Sequence, residues 1–342
     1  MSKTAVVLFN LGGPDSPAAV APFLFNLFSD PAILGLPNPL RWLIAKLIAR
    51  RRAPVARAIY AKIGGASPIL GLTREQAAAL AVELNKSGVY RAFVAMRYWH
   101  PRAVAIVAEV KAWRPDRVVL LPLYPQYSTT TSGSSLAEWR AMAKAAGLRA
   151  PTATICCYPS APGWIAAQAE LVAKGLAEAA AHGRPRILFS AHGLPKKVIA
   201  KGDPYQWQVE RSAAATAKAL ARPDLDWVVC YQSRVGPLEW IGPSTEAEID
   251  RAGRDGVPLV VVPIAFVSEH SETLVELDIE YAHRAKLAGV PHYARVPAVA
   301  TEPAFIAALA ALVRGAGRQA PIQSEIGGRI CPATCAACGQ SG

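Results

Sequence analysis

The stretch that most constrains this chain is Arg186–Pro195, RILFSAHGLP, in which Ile187, Leu188 and Phe189 run into Ser190, Ala191, His192 and a Gly-Leu-Pro turn. A short apolar run closed by small residues and a turn reads as a buried parallel strand opening into a loop. Open α/β sheets bind ligands just outside the carboxyl ends of their strands. The pattern therefore puts His192 at the lip of a crevice, on a rigid element. A lone histidine in such a place is equally explained as one that bonds its own turn, so its company along the chain decides.

That company is a repetition. Residues 4–14 (TAVVLFNLGGP), 90–98 (YRAFVAMRY) and 117–124 (RVVLLPLY) are strand-like runs in the first half, and 186–190, 227–232 (WVVCYQ) and 258–266 (PLVVVPIAF) follow in the second. The third run of each half ends apolar-Pro-apolar and passes into a hydroxyl-rich loop, Ser128–Ser135 and Ser268–Thr273. Alanine-rich helical stretches such as Glu75–Leu84 and Ser212–Ala221 lie between runs. Strand, helix, strand with right-handed crossovers predicts doubly wound parallel sheets. The expected organisation is two similar α/β domains, 1–150 and 160–310, facing each other over a cleft, with an extension at 311–342. One continuous sheet is the alternative.

The first half alone carries an insertion, 31–54, where Leu40, Leu43, Ile44, Leu47 and Ile48 share a helical face that ends in Arg50, Arg51 and Arg52. It is either a core-facing helix with a basic C-terminus or an apolar flap that touches membrane or an apolar ligand. The chain is 52% hydrophobic and 18% charged, which argues against disorder. Its formal charge of +12 points to an anionic partner, a small molecule or a membrane surface. Nothing interleaves aromatics with basic residues as a nucleic-acid surface does. The N-terminal run lacks the h-region and cleavage site of a signal peptide, and no run approaches the about 18 apolar residues of a spanning helix. Both predict a cytoplasmic protein.

In a reducing compartment, clustered cysteines read as metal or cluster ligands rather than disulfides. Cys331, Cys335 and Cys338 stand in C-x3-C-x2-C in the tail ICPATCAACGQSG. A 2Fe–2S cluster takes four thiolates, and Cys156 or Cys157 is the candidate for the fourth. Structural zinc is the alternative, since four thiolates suit it equally. Cys230, inside an apolar run, reads as core.

Glu269, Glu272, Glu276 and Glu280 are three, four and four residues apart, one carboxylate stripe on a helix. Leu274, Leu277 and Tyr281 form a separate apolar stripe that would hold this helix to the sheet. A solvated face is the ordinary explanation for such acids, while a row leading from a strand end suits a path for metal ions or protons.

Eight segments, NLGGPDSP (10–17), IGGASPI (63–69), MRYWHP (96–101), LYPQYSTTTSGSS (123–135), FSAHGLP (189–195), GDPY (202–205), YQSRVGPLEWIGP (231–243) and PIAFVSEHSETLVELDIEY (263–281), resemble the ferrochelatases, in the family's order and over nearly the whole chain. The resemblance implies two Rossmann-like, chelatase-like domains with the macrocycle in the cleft. It implies insertion of ferrous iron into protoporphyrin IX, the terminal step of haem synthesis. His192 matches the family histidine that takes up pyrrole protons and Glu272 the carboxylate facing it, either of which contacts the iron. Glu269, Glu276 and Glu280 fall on the family's acidic row, with Glu269 where many members have aspartate.

The same resemblance makes 31–54 the lip of the cleft. Tyr98, Phe266 and Trp240 become candidate pocket aromatics, and Arg97, Arg50 and Arg51 candidate partners of the propionates. Some ferrochelatases carry a 2Fe–2S cluster on three C-terminal cysteines and one internal one. In animal enzymes the internal cysteine lies in the loop matching Ser128–Ser135, which here holds only Ser, Thr and Gly. Some bacterial members use a later cysteine, which Cys157 fits better than Cys156. A coproporphyrin chelatase, with the same catalytic pair, is the nearest rival. A non-catalytic two-lobed binder of metal or haem is the rival from another class. A nicotinamide enzyme lacks its G-x-G-x-x-G here. The assembly expected is a monomer or homodimer, with peripheral contact at the inner face of an anionic membrane as an open possibility.

Overall fold

In a computed structural model the described residues are 2–340 apart from 235 and 237. Val235 and Pro237 of the 231–243 motif, Ser341 and Gly342 of the tail, and Met1 lie outside the described residues. The strands are β1 (Lys3–Asn10), β2 (Val89–Met96), β3 (Arg117–Pro122), β4 (Thr152–Cys157), β5 (Arg186–His192), β6 (Asp226–Gln232), β7 (Leu259–Pro263), β8 (Tyr293–Arg295) and β9 (Ile322–Ser324). They form two separate sheets, β2-β1-β3-β4-β9 and β6-β5-β7-β8, in which every pairing is parallel.

The two orders coincide strand for strand up to the fourth, which is the duplication the sequence predicts. Ala5–Leu8 and Leu259–Val262 are 0% exposed, as strands covered by helices on both faces must be. Phe93, Val118 and Leu120 pack on Ile106 and Trp139 in the first half. Leu188 and Val261 pack on Ile249, Leu277 and Tyr281 in the second, so Leu277 and Tyr281 of the apolar stripe hold the acidic helix to its sheet, while Leu274 is half-buried and outside this cluster.

The chain divides into two compact units, one running to Cys157 and including Leu309–Arg329, the other Tyr158–Ala308 with the tail from Ile330. Residues 311–342, expected as one extension, are thus shared. β4 leaves backbone groups unpaired at the sheet edge, and the late segment satisfies them: Thr154 N–H donates to Pro321 O at 2.8 Å, and β9 pairs alongside.

The insertion helix, Leu40–Ala61, is turned the other way from a core-facing leucine stripe. Ala45, Ala49 and Ala53 are buried, while Leu40, Leu43 and Leu47 are 47%, 60% and 49% exposed and Trp42 is 48% exposed. Alanine at every fourth position lets the helix Val20–Phe28 approach closely, with Val20, Phe23 and Leu24 against Ala49 and Ala53. The bulkier leucines are left outside. Among the described residues no helix is long and apolar enough to cross a membrane.

The acidic row also differs from expectation. Glu272–Tyr281 is a π-helix, not an α-helix, and Glu269 precedes it in the loop. Such helices are rare and gather at functional sites.

Candidate active site

β5 lies between β6 and β7, so the chain leaves it to opposite sides. Its carboxyl end is the switch point where α/β sheets bind ligands. His192 is the last residue of β5, in register with Gln232 at the end of β6. Register partners in parallel strands share a face, and the π-helix that follows β7 brings its carboxylates to that face. His192 Nδ1 and Glu272 Oε2 are 2.9 Å apart. The imidazole is 38% exposed and the carboxylate 29%.

Burial alone would push the Glu272 carboxyl up, but the charge of His192 and its hydrogen bond outweigh that and lower it to about 2. Burial likewise lowers His192, yet the charge and hydrogen bond of Glu272, and then Glu276, raise it above its ordinary value. An ionised Glu272 accepts a hydrogen bond from Nδ1–H, the tautomer that leaves the Nε2 lone pair able to take up a proton. His270 behaves in the opposite way. Burial lowers it, and its Nδ1 accepts the Glu272 N–H at 3.0 Å while its ring meets Phe266 edge-on at 4.6 Å. Two histidines, one raised and one lowered, thus flank Glu272. In the sequence His270 stands directly after Glu269, at the start of the acidic row.

Glu276 is raised, by burial first and the negative charge of Glu272 next. Its oxygens accept from Gln232 Nε2 (3.1 Å), Ser233 N (2.8 Å), Ser233 Oγ (2.5 Å) and Tyr281 OH (2.9 Å). The two carboxyls are thus pushed in opposite directions by their surroundings. Glu280 lies at the exposed far end of the row. Glu269 is lowered: burial raises it, but the Arg295 guanidinium at 2.5 Å more than compensates. It also accepts the Ala298 N–H at 2.8 Å, and Arg295 forks onto Asp278 at 2.5 and 2.6 Å.

Of the remaining residues picked from sequence, Phe266 and Trp240 belong to this unit. Trp240 bridges to Pro195 just beyond His192, and its buried Nε1 has no hydrogen-bond partner among the described residues. In the first unit, Tyr98 is 1% exposed and donates to Asp30 Oδ2 at 2.7 Å, so it is packed into that unit's core. Arg97 is taken up by Asp30 (2.9 Å), Glu138 (3.1 Å) and Ser134 (2.7 Å). Arg50 and Arg51 are exposed.

The tail thiols Cys331, Cys335 and Cys338 are buried and pack together with Trp207 and Ile330. Gln208 Nε2 donates to Cys331 Sγ at 3.0 Å. Its contact with Cys338 and burial push the Cys331 thiol well up. Gly202 seats this tail: Ala337 N–H donates to its carbonyl at 3.0 Å, and a Cβ there would stand 2.7 Å from Ala336 N, at φ +88°. Cys157 ends β4 in the first unit, its Sγ 3.5 Å from that of Cys156. Three buried thiols with an N–H donor on one sulfur are the donor type an iron–sulfur or zinc centre takes. Such a centre takes four thiolates, and among the described residues no group of three or more His, Cys, Asp or Glu side chains is placed to hold a metal ion.

Comparison with known proteins agrees with this chemistry. The family model described as Ferrochelatase matches residues 3–316. The chain is 54% identical over 322 residues to a ferrochelatase of Caulobacter vibrioides, covering 93% of this chain and 92% of that one. It is 52% identical over 314 residues to one of Pelagibacter ubique, covering 91% and 90%. Among solved structures, the sirohydrochlorin chelatase of Bacillus subtilis subspecies spizizenii in complex with cobalt shares the fold at 12% identity, with a TM-score of 0.51 over 92% of this chain and 95% of that one. The chain belongs to the ferrochelatase family, the lyases of haem biosynthesis that take ferrous iron as substrate.

Proposed function

We propose that the porphyrin this ferrochelatase metallates is protoporphyrin IX and that His192 is the base. The observation that carries the reading is the His192–Glu272 pair at the end of β5. Metal entry releases two pyrrole protons, so a base with a raised, accessible lone pair is needed beside the ring. Glu272 orients the imidazole and offers a carboxylate to the incoming iron. Nitrogen and oxygen donors of this kind suit a ferrous ion being stripped of water. Glu276, more easily protonated than Glu272, passes protons on, and exposed Glu280 returns them to solvent; Glu269 flanks the row at its inner end. Phe266 and Trp240 offer apolar surface to the ring, and Arg50 and Arg51 offer cations to its propionates. Anaerobic assay with ferrous iron tests the reading: protoporphyrin turnover supports it, preference for coproporphyrin keeps the mechanism and changes the substrate, and no turnover of either sinks it.

The exposed Leu40, Leu43 and Leu47 beside Arg50 and Arg51 support a cytoplasmic protein that touches the inner face of an anionic membrane. Cosedimentation with phosphatidylserine vesicles is expected for the wild type and is expected to be lost in Leu43→Glu/Leu47→Glu.

The tail thiols support a 2Fe–2S cluster, with Cys157 the fourth ligand on the sequence reading and structural zinc the alternative. Such a cluster would supply electron-accepting or structural chemistry, and no step of iron insertion is assigned to it. Freshly purified protein is expected to show cluster absorption in the visible, lost in Cys335→Ser. A colourless protein loaded with zinc overturns the cluster.

A further inference from the structure

We propose that Gln232 is the positioning residue of the site, one amide whose length and orientation set the π-helix carboxylates against His192. The proposal rests on the reading above that His192 and Glu272 handle the protons. Gln232 is 0% exposed. Its Nε2 donates to the Glu272 main-chain oxygen at 2.9 Å and to Glu276 Oε2 at 3.1 Å. Its Oε1 accepts from Ser190 Oγ at 2.8 Å, and Ser190 is held in turn by Thr245 Oγ1 at 2.9 Å. The main-chain oxygen of Glu272 can only accept, so the amide nitrogen must face it. Both N–H groups and one of the two carbonyl lone pairs are then used.

The backbone ladder fixes Gln232 beside His192. The side chain of Gln232 therefore sets how far the first turn of the π-helix, and with it Glu272, stands from the imidazole. The next residue completes the clamp. Ser233 has φ +60°, an uncommon conformation for a residue other than glycine. This corner of the chain turns the Ser233 N–H and hydroxyl onto Glu276. A residue that merely filled space here would need no donors, since methionine occupies a similar volume. The donors are what this position supplies.

The test is steady-state iron insertion, with kcat and porphyrin KM separated and thermal unfolding run alongside. Gln232→Met is expected to lower kcat by roughly 10–100-fold, the scale of a 1 Å misplacement, with KM within about two-fold. Gln232→Glu, equal in size but without donors, is expected to lose as much. Ser190→Ala leaves the amide in place and removes one of its bonds, so a fall of roughly 2–10-fold in kcat is expected. If the Gln232 variants do not fold, Ser190→Ala decides alone. Unchanged kcat in a folded variant, or a rise in KM at unchanged kcat, overturns the proposal. Wild-type protein that inserts no iron overturns the functional reading beneath it instead.

Discussion

Alanine in place of His192 is expected to lower iron insertion by about 10²–10⁴-fold, the usual worth of a positioned general base, while porphyrin still binds. With His192 as the base, wild-type activity is expected to need a neutral imidazole. Glu272 raises His192, so the acid limb of the rate profile is expected above the ordinary histidine value. Glu272→Gln removes the charge that does this and leaves the burial that lowers His192, so its acid limb is expected to shift to lower pH. The same pair bears on stability with a definite sign. His192 is raised from 6.5, so its contribution is full below that pH and is lost as pH rises through the higher folded value. Glu272 is lowered from 4.5 to about 2, so its share is full above 4.5 and is lost as pH falls toward 2. The two shifts describe one interaction. The difference in melting temperature between wild type and His192→Ala is therefore expected to be largest between the two reference values. A rate profile of Glu272→Gln that matches wild type would show that this carboxylate does not govern the histidine.

His192 was legible because its signal is local: an apolar run, small residues and a turn define a strand end, and strand ends in such sheets carry function. The acids were legible for a partly different reason. Spacing of three and four residues announces a shared helix face, but it does not distinguish an α-helix from a π-helix, because that choice depends on which backbone donors the surroundings satisfy. Gln232 lay within a recognisable motif without a role, since its partners are 40, 42 and 44 residues away, and the fold brings them together by setting β6 beside β5 and the π-helix after β7 against both. The insertion helix was open between a core-facing leucine stripe and an exposed apolar flap, because spacing marks a face without saying which way it turns. The alanines allow the closer approach and take the buried side, which leaves the leucines outside. Asp30, preceding that insertion, gave no local signal. Its partners Arg97, Tyr98 and Ser134 are 67, 68 and 104 residues on, and it explains why two residues chosen for porphyrin contact are tied down.

Asp30→Ala is expected to destabilise the first unit by about 3 kcal/mol, the lower end for breaking a buried charge pair. Asp30 is 4% exposed. Its Oδ2 accepts from Arg97 and Tyr98 at 2.9 and 2.7 Å and from Ser134, and its Oδ1 caps Ala32 N–H at 2.8 Å. Truncation strands the Tyr98 hydroxyl in the core, and an unsatisfied buried donor alone costs about 1–3 kcal/mol. Arg97 fares better because Glu138 remains at 3.1 Å, which keeps the loss from reaching the upper end of the range. The same geometry bears on the choice between a folding role and a substrate role for Arg97. A propionate would be the third anion on a guanidinium that already serves two carboxylates, so the gain from binding it there is small. Urea unfolding followed by circular dichroism is expected to show the full loss in Asp30→Ala, with porphyrin KM of the folded protein within about two-fold of wild type, since the variant removes no donor from the ligand. An unchanged urea midpoint together with a large rise in KM would reverse the assignment and return Arg97 to the porphyrin.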